Sequence, residues 1–143
     1  MKVGQKRLLN PVFEDKDVVL WDVMPIEDGE TILVTFESIN SEWQQGVELM
    51  CDKGVEVAGE KGRSVLLWYE TAPRPAEVTC RTKNGLLSIY NTWDEGRGPD
   101  SLAHTSGMLV EELPSGRRYR CHDFGFEPQF DKVVFRVERS EAG

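Results

Sequence analysis

Three cysteines, two histidines and twenty-five acidic residues are the groups in this 143-residue chain from which reactive chemistry could be built. Cys51, Cys80 and Cys121 are far apart and lack Cys-x-x-Cys spacing, so neither a disulfide framework nor a zinc site of ordinary ligand spacing is expected. They read instead as reduced, buried, small hydrophobes, as in a cytoplasmic protein. His104 and His122 form no His-x-His or HExxH pair, so no metal centre and no cofactor are expected. Cys121 and His122 are neighbours in a strand-like run and point to opposite faces, which rules them out as nucleophile and base. His122 is expected to be a surface or inter-loop hydrogen-bonding residue. Asp123-Phe124-Gly125 has the letters of a kinase tripeptide without its companion motifs, and Glu95-Gly96-Arg97-Gly98 lacks the Lys-Ser/Thr and helix of a phosphate cradle. No pair of carboxylates stands out for glycoside cleavage. The inventory favours a protein that binds over one that catalyses.

A binding constellation is easier to find. The run Ala76–Trp93 holds two alternating segments about Asn84-Gly85, the strongest short-range hairpin signal because a type I′ turn needs φ > 0 at both central residues. That turn predicts Cys80 opposite Ile89, with Ala76, Val78, Cys80, Leu87, Ile89 and Trp93 on a core face. The other face carries Arg81, Ser88, Tyr90 and Thr92. Arg63–Glu70 is apolar on both sides, so Trp68 joins that face if the run lies beside the hairpin. Trp68, Arg81, Ser88, Tyr90 and Thr92 are therefore the candidate ligand-binding residues: rings to stack, a cation and hydroxyls to orient.

Further strands are expected at 17–22, 31–37, 46–52, 54–58, 108–113, 117–123 and 132–138, separated by turns such as Ala72-Pro73-Arg74-Pro75. A second hairpin about Ser115-Gly116 would pair Val110 with Cys121 and Glu111 with Arg120. No segment has helical periodicity of useful length. Many short strands predict an all-β antiparallel sandwich of jelly-roll type, one domain over residues 1–143 with its core at about 8–138. The net charge is −8, with thirteen acids against Lys16 and Lys53 in residues 11–60. That balance opposes phosphate-backbone binding, and no apolar run reaches membrane-spanning length.

Leu8-Leu9-Asn10-Pro11-Val12-Phe13-Glu14 followed by Trp21, with Phe130-Asp131-Lys132-Val133-Val134-Phe135, resembles the opening and closing segments of galactose-binding-like jelly-roll carbohydrate-binding modules. The resemblance covers roughly 25 residues. It implies a jelly roll with adjacent terminal strands, and it nominates Glu14 and Asp131 as calcium ligands, although two carboxylates do not make a six- to eight-oxygen site.

The resulting expectation is a non-catalytic ligand-binding domain for a carbohydrate or other small polar ligand. The rival is a small acidic protein-interaction or inhibitor module that docks a basic partner. An enzyme using acids of the 94–100 loop and Asp123 ranks third. No nucleic-acid or membrane partner is expected, and the sequence leaves the oligomeric state open.

Overall fold

Alternating apolar residues such as Ile32, Val34 and Phe36 make strands, and the described residues contain no helix. The computed structural model describes residues 6–13, 17–103, 105–125 and 127–140. The strands in chain order are β1 (Leu8–Leu9), β2 (Val19–Pro25), β3 (Thr31–Ile39), β4 (Gln44–Val57), β5 (Glu60–Trp68), β6 (Ala76–Cys80), β7 (Leu86–Asp94), β8 (Pro99–Ser101), β9 (Gly107–Leu113), β10 (Gly116–His122) and β11 (Val133–Arg139).

Neighbours run β2-β9-β10-β11-β3-β6-β4-β7, and β7 returns to β2 through Asp22–Ile89, Val23–Ser88, Met24–Leu87 and Pro25–Leu86. The sheet closes into an eight-stranded antiparallel barrel, with β1, β5 and β8 added outside the ring. This corrects the expected jelly-roll sandwich. Inward-outward alternation is the same in both architectures, and what separates them is the long-range β2–β7 pairing. The terminal strands also differ from the jelly-roll expectation, since β1 pairs β2 while β11 lies between β10 and β3. The interior is filled, as an eight-stranded ring allows. Tyr119 stacks on Phe135 at 5.1 Å, and Phe36 meets Phe135 edge-on at 5.9 Å.

The Asn84-Gly85 hairpin is a second correction. β6 and β7 do not pair, because β4 runs between them: β6 meets β3 and β4, while β7 meets β2, β4 and β8. Gly85 has φ +75°, but Asn84 is not among the positive-φ residues. The N–H groups of Lys83 and Asn84 donate instead to the Asp52 carboxylate on β4, at 2.9 and 3.1 Å. The tight turn with positive φ at both central residues is Ala58-Gly59 (φ +53° and +83°), which joins β4 to β5.

Register differs again in the β9–β10 hairpin. It reverses at Pro114-Ser115 and sets Val110 opposite Tyr119 and Glu111 opposite Arg118. Gly116 is needed in the strand itself, where a Cβ would collide with the Val137 carbonyl oxygen. The two-residue shift keeps every side chain on its expected face. Arg120 still reaches Glu111 diagonally at 3.8 Å.

Closure is uneven. β2 meets β9 through the single ladder pair Val19–Met108. Asp22, fully buried, spans this seam from β2 to β10: Tyr119 donates its hydroxyl to Oδ2 at 2.7 Å and Arg117 donates Nη1 at 2.9 Å. Arg7 donates to Oδ1 at 2.7 Å, and Arg117 also reaches the Val23 carbonyl. A buried carboxylate is tolerable because its oxygens are met by charged and hydroxyl donors.

On the outer wall, Glu37 of β3 receives Arg118 of β10 and Arg136 of β11. The Arg118 hydrogen bond, outweighing partial burial and aided by Arg136, holds the Glu37 carboxyl below its ordinary value of 4.5. Glu138, hydrogen-bonded by Ser115 and Arg136, is lowered too. A carboxyl depressed on folding stabilises fully above its unfolded pKa, and that stability is lost as pH falls through the folded value. Glu37→Gln is therefore expected to cost stability at neutral pH, with the gap to wild type closing as pH drops below about 4.5, the ordinary glutamate value. Urea titrations of both proteins across pH 3–7 check this; a gap independent of pH contradicts it.

Candidate functional site

The outer face of β5, β4 and β7 forms three cross-strand rows. Trp68, Gly46 and Thr92 make one; Leu66, Glu48 and Tyr90 the next; Ser64, Met50 and Ser88 the third. Four of the five residues expected to bind thus share one wall: Trp68, Ser88, Tyr90 and Thr92. Gly46 is required there, because a Cβ would meet Trp68 at 2.9 Å.

Arg81 stands apart. Its guanidinium pairs with Glu56 at 3.1 Å, whereas Tyr90 lies opposite Glu48, eight residues earlier on β4. The convergence of Arg81 with Tyr90 needed the β6–β7 hairpin and is absent without it. Tyr90 is also less open than expected, at 6% exposure. Trp21 of β2 covers it, with ring centroids 4.6 Å apart, and its hydroxyl donates to Glu48 Oε2 at 2.8 Å. Burial, reinforced by that carboxylate, pushes the Tyr90 phenol above its ordinary range. Thr92 is buried and donates to the Asp100 carbonyl at 2.7 Å.

Below this covered pair the wall opens into a groove of about 460 Å³. Trp21, Met50 and Leu86 give it an apolar side, and Arg63, Ser64, Ser88, Asn84 and Asp52 a polar one. Its acceptors are mostly engaged. Asp52 takes the N–H groups of Lys83 and Asn84, and Asn84 Oδ1 takes the Thr82 hydroxyl and the Leu86 N–H. Two donors are not engaged. Trp21 Nε1 is buried with no hydrogen-bond partner, and Arg63 has no ion-pair partner among the described residues. A second groove of about 450 Å³ shares Cys51, Asp52 and Arg63 with the first and adds Lys53, Lys61 and the backbone of Gly54 and Gly62.

Sequence reasoning did not nominate Trp21, Asp52 or Arg63 as site residues. One signal was present: Lys53, Lys61 and Arg63 flank the Ala58-Gly59 turn, at the end of an otherwise acidic stretch.

The remaining reactive groups hold loops. His122 is 1% exposed, so of the two expected alternatives, a surface residue or an inter-loop hydrogen-bonding one, it is the second. Its Nδ1 accepts the Gln129 N–H at 3.2 Å, so Nε2 carries the proton and donates to the Gly125 carbonyl at 2.9 Å. Asp123 accepts from Gln45 Nε2 and from the Phe124 N–H. Asp94 accepts from the Gly96 and Gly98 N–H groups. His104 and Glu14 lie outside the described residues. Asp131 accepts from Asn40 at 2.9 Å, and no cluster of three or more His, Cys, Asp or Glu fit to hold a metal occurs among the described residues. All three cysteines are free and buried.

No protein-family model and no curated protein matches the chain.

Because Tyr90 now has both a packing and a polar partner, two substitutions separate its roles. Tyr90→Phe keeps the stack with Trp21 and loses the bond to Glu48, at an expected cost of about 1 kcal/mol. Tyr90→Ala uncovers the wall and should cost about 3–4 kcal/mol. Denaturant unfolding of both variants measures the difference, and equal losses would contradict the assignment of Tyr90 as a packed wall residue.

Proposed function

We propose that the protein is a non-catalytic binding barrel whose ligand joins a flat, partly apolar ring to an anionic head, as in a sugar acid or sugar phosphate. The supporting observation is the unsatisfied Trp21 N–H beside a groove in which the Asp52 and Asn84 acceptors are engaged while Arg63 is unpaired. An apolar wall with a few convergent donors orients a small ligand, and a buried donor left without a partner favours one that supplies an acceptor. In the adjoining groove Lys53 and Lys61, the latter 3.9 Å from Glu56, add positive charge beside Arg63 on a chain of net charge −8.

A second reading, docking of a basic partner, draws on a different groove of about 520 Å³ lined by Glu27, Asp28, Glu30 and Glu77. Part of that charge is internally neutralised: Glu30 is paired with Arg139 at 2.8 Å, and Asp28 accepts the Thr82 N–H.

Titration calorimetry with matched neutral sugars, sugar acids and sugar phosphates tests the first reading. The anionic members should bind more tightly. Arg63→Ala should weaken them by roughly tenfold, or about 1.4 kcal/mol, while Arg81→Ala leaves them unchanged. Equal binding of neutral and anionic sugars, or no effect of Arg63→Ala, would sink the reading. Binding of a polycationic peptide, abolished by Glu27→Gln with Glu77→Gln, would favour the second.

A further inference from the structure

A second buried carboxylate lies at the end of the barrel where β4 begins, and unlike Asp22 it has no cation. Asp123 directly follows β10 and is 2% exposed. Its Oδ2 accepts Gln45 Nε2 at 2.8 Å and its Oδ1 accepts the Phe124 N–H at 2.6 Å, both neutral donors. The nearby imidazole nitrogen, His122 Nδ1 at 3.9 Å, already accepts the Gln129 N–H and has no proton to offer. Among the described residues no Lys or Arg pairs with Asp123. Each of its oxygens has room for a second hydrogen bond, and Gln45, itself fully buried, has its Oε1 without a donor. A charge out of water is costly unless a partner meets it, so this end of the barrel is rich in acceptors and lacks one charged donor.

Asp123 can be reached from outside. It lines a pocket of about 310 Å³ with Ser41, Glu42, Trp43, Phe124 and Lys132. Phe124 is 57% exposed, the most exposed large apolar side chain among the described residues, and Trp43 is half-buried. Glu42 and Lys132 offset each other, which leaves the pocket with the charge of Asp123. We propose that this pocket binds a primary alkylammonium group, whose N–H donors meet Asp123 and whose charge and methylenes lie against Trp43 and Phe124. Aromatic faces attract a cation, and they also cover the apolar stem that carries it. A pocket at the small end of the ligand-binding range takes a short chain and its head, not a whole sugar. The acceptors favour a primary ammonium over a quaternary one, which has no N–H to give. Lys132 is the competing cation, and its charge opposes the ligand. The site is separate from the Trp21–Arg63 groove: it sits before β4 at Ser41–Trp43, whereas the groove is at Met50–Asp52.

The test titrates the full chain with n-butylammonium, n-butyltrimethylammonium, butyrate and N-acetyl-lysine methylamide, followed by amide and indole NMR spectra. Butylammonium should shift the resonances of Trp43, Asp123 and Phe124 and bind about fivefold more tightly than its quaternary analogue, while butyrate leaves them still. The lysine derivative separates the two sources of the group: binding tighter than butylammonium identifies a protein side chain, and binding no tighter identifies a free amine. Asp123→Asn should weaken butylammonium at least about tenfold, and Phe124→Ala, at an exposed position, roughly two- to fivefold. Lys132→Met should tighten it, and Glu60→Gln, on the far side of β4, should change nothing. If Asp123→Asn folds poorly, Phe124→Ala and Lys132→Met decide the matter. Shifts spread over the acidic surface and unaltered by Phe124→Ala, preference for butyrate, or weaker binding in Lys132→Met overturns the proposal.

Discussion

The barrel depends on one buried carboxylate. Asp22 sits on β2, where that strand is well paired to β7 on one edge and nearly unpaired to β9 on the other. A seam with one ladder pair would leave backbone groups unsatisfied and the ring open. Asp22 spans the gap by reaching across the interior to Tyr119 and Arg117 of β10, the strand beyond β9. An apolar side chain could fill the same space but could not fix which strand lies opposite. The ionic contact specifies the pairing, and Tyr119, one of its donors, stacks on Phe135 in the core behind it.

The groove follows from that anchoring. Successive residues of a strand face opposite sides, so holding Asp22 inward turns Trp21 outward onto Tyr90. Trp21 then forms one wall, and β5, folded back on the outer edge of β4 by the Ala58-Gly59 turn, forms the other with Arg63 and Ser64. The bulge in β4 between Met50 and Val55 brings Asp52 to the floor and Cys51 to the junction of the two grooves.

Local pattern was legible in the sequence and long-range pairing was not. Ala76, Val78, Cys80, Leu87, Ile89 and Trp93 are all buried, as alternation alone requires. The partners of those strands were misread because Asn84-Gly85 is a local signal, and Asp52, more than thirty residues away, takes the N–H groups on which a hairpin would draw. Barrel and sandwich share the same inward-outward alternation, so the choice rested on the β2–β7 ladder between segments some sixty residues apart. Within the site, Trp68, Ser88, Tyr90 and Thr92 shared a face as expected, since parity along β7 survives a change of partner. Arg81 did not join them, because its place depended on the partner itself. Trp21 entered the sequence reading only as part of an N-terminal motif, and nothing local places its ring over Tyr90.

A double-mutant cycle on Asp22→Asn and Tyr119→Phe, read by denaturant unfolding, tests the closing role of the carboxylate with little change in shape. Tyr119→Phe keeps the stack on Phe135 and removes only the hydroxyl that meets Asp22 at 2.7 Å. The account predicts a coupling of about 1.5–3 kcal/mol, the range for a buried hydrogen bond to a charged group. Additive losses, with coupling below about 0.5 kcal/mol, would contradict it.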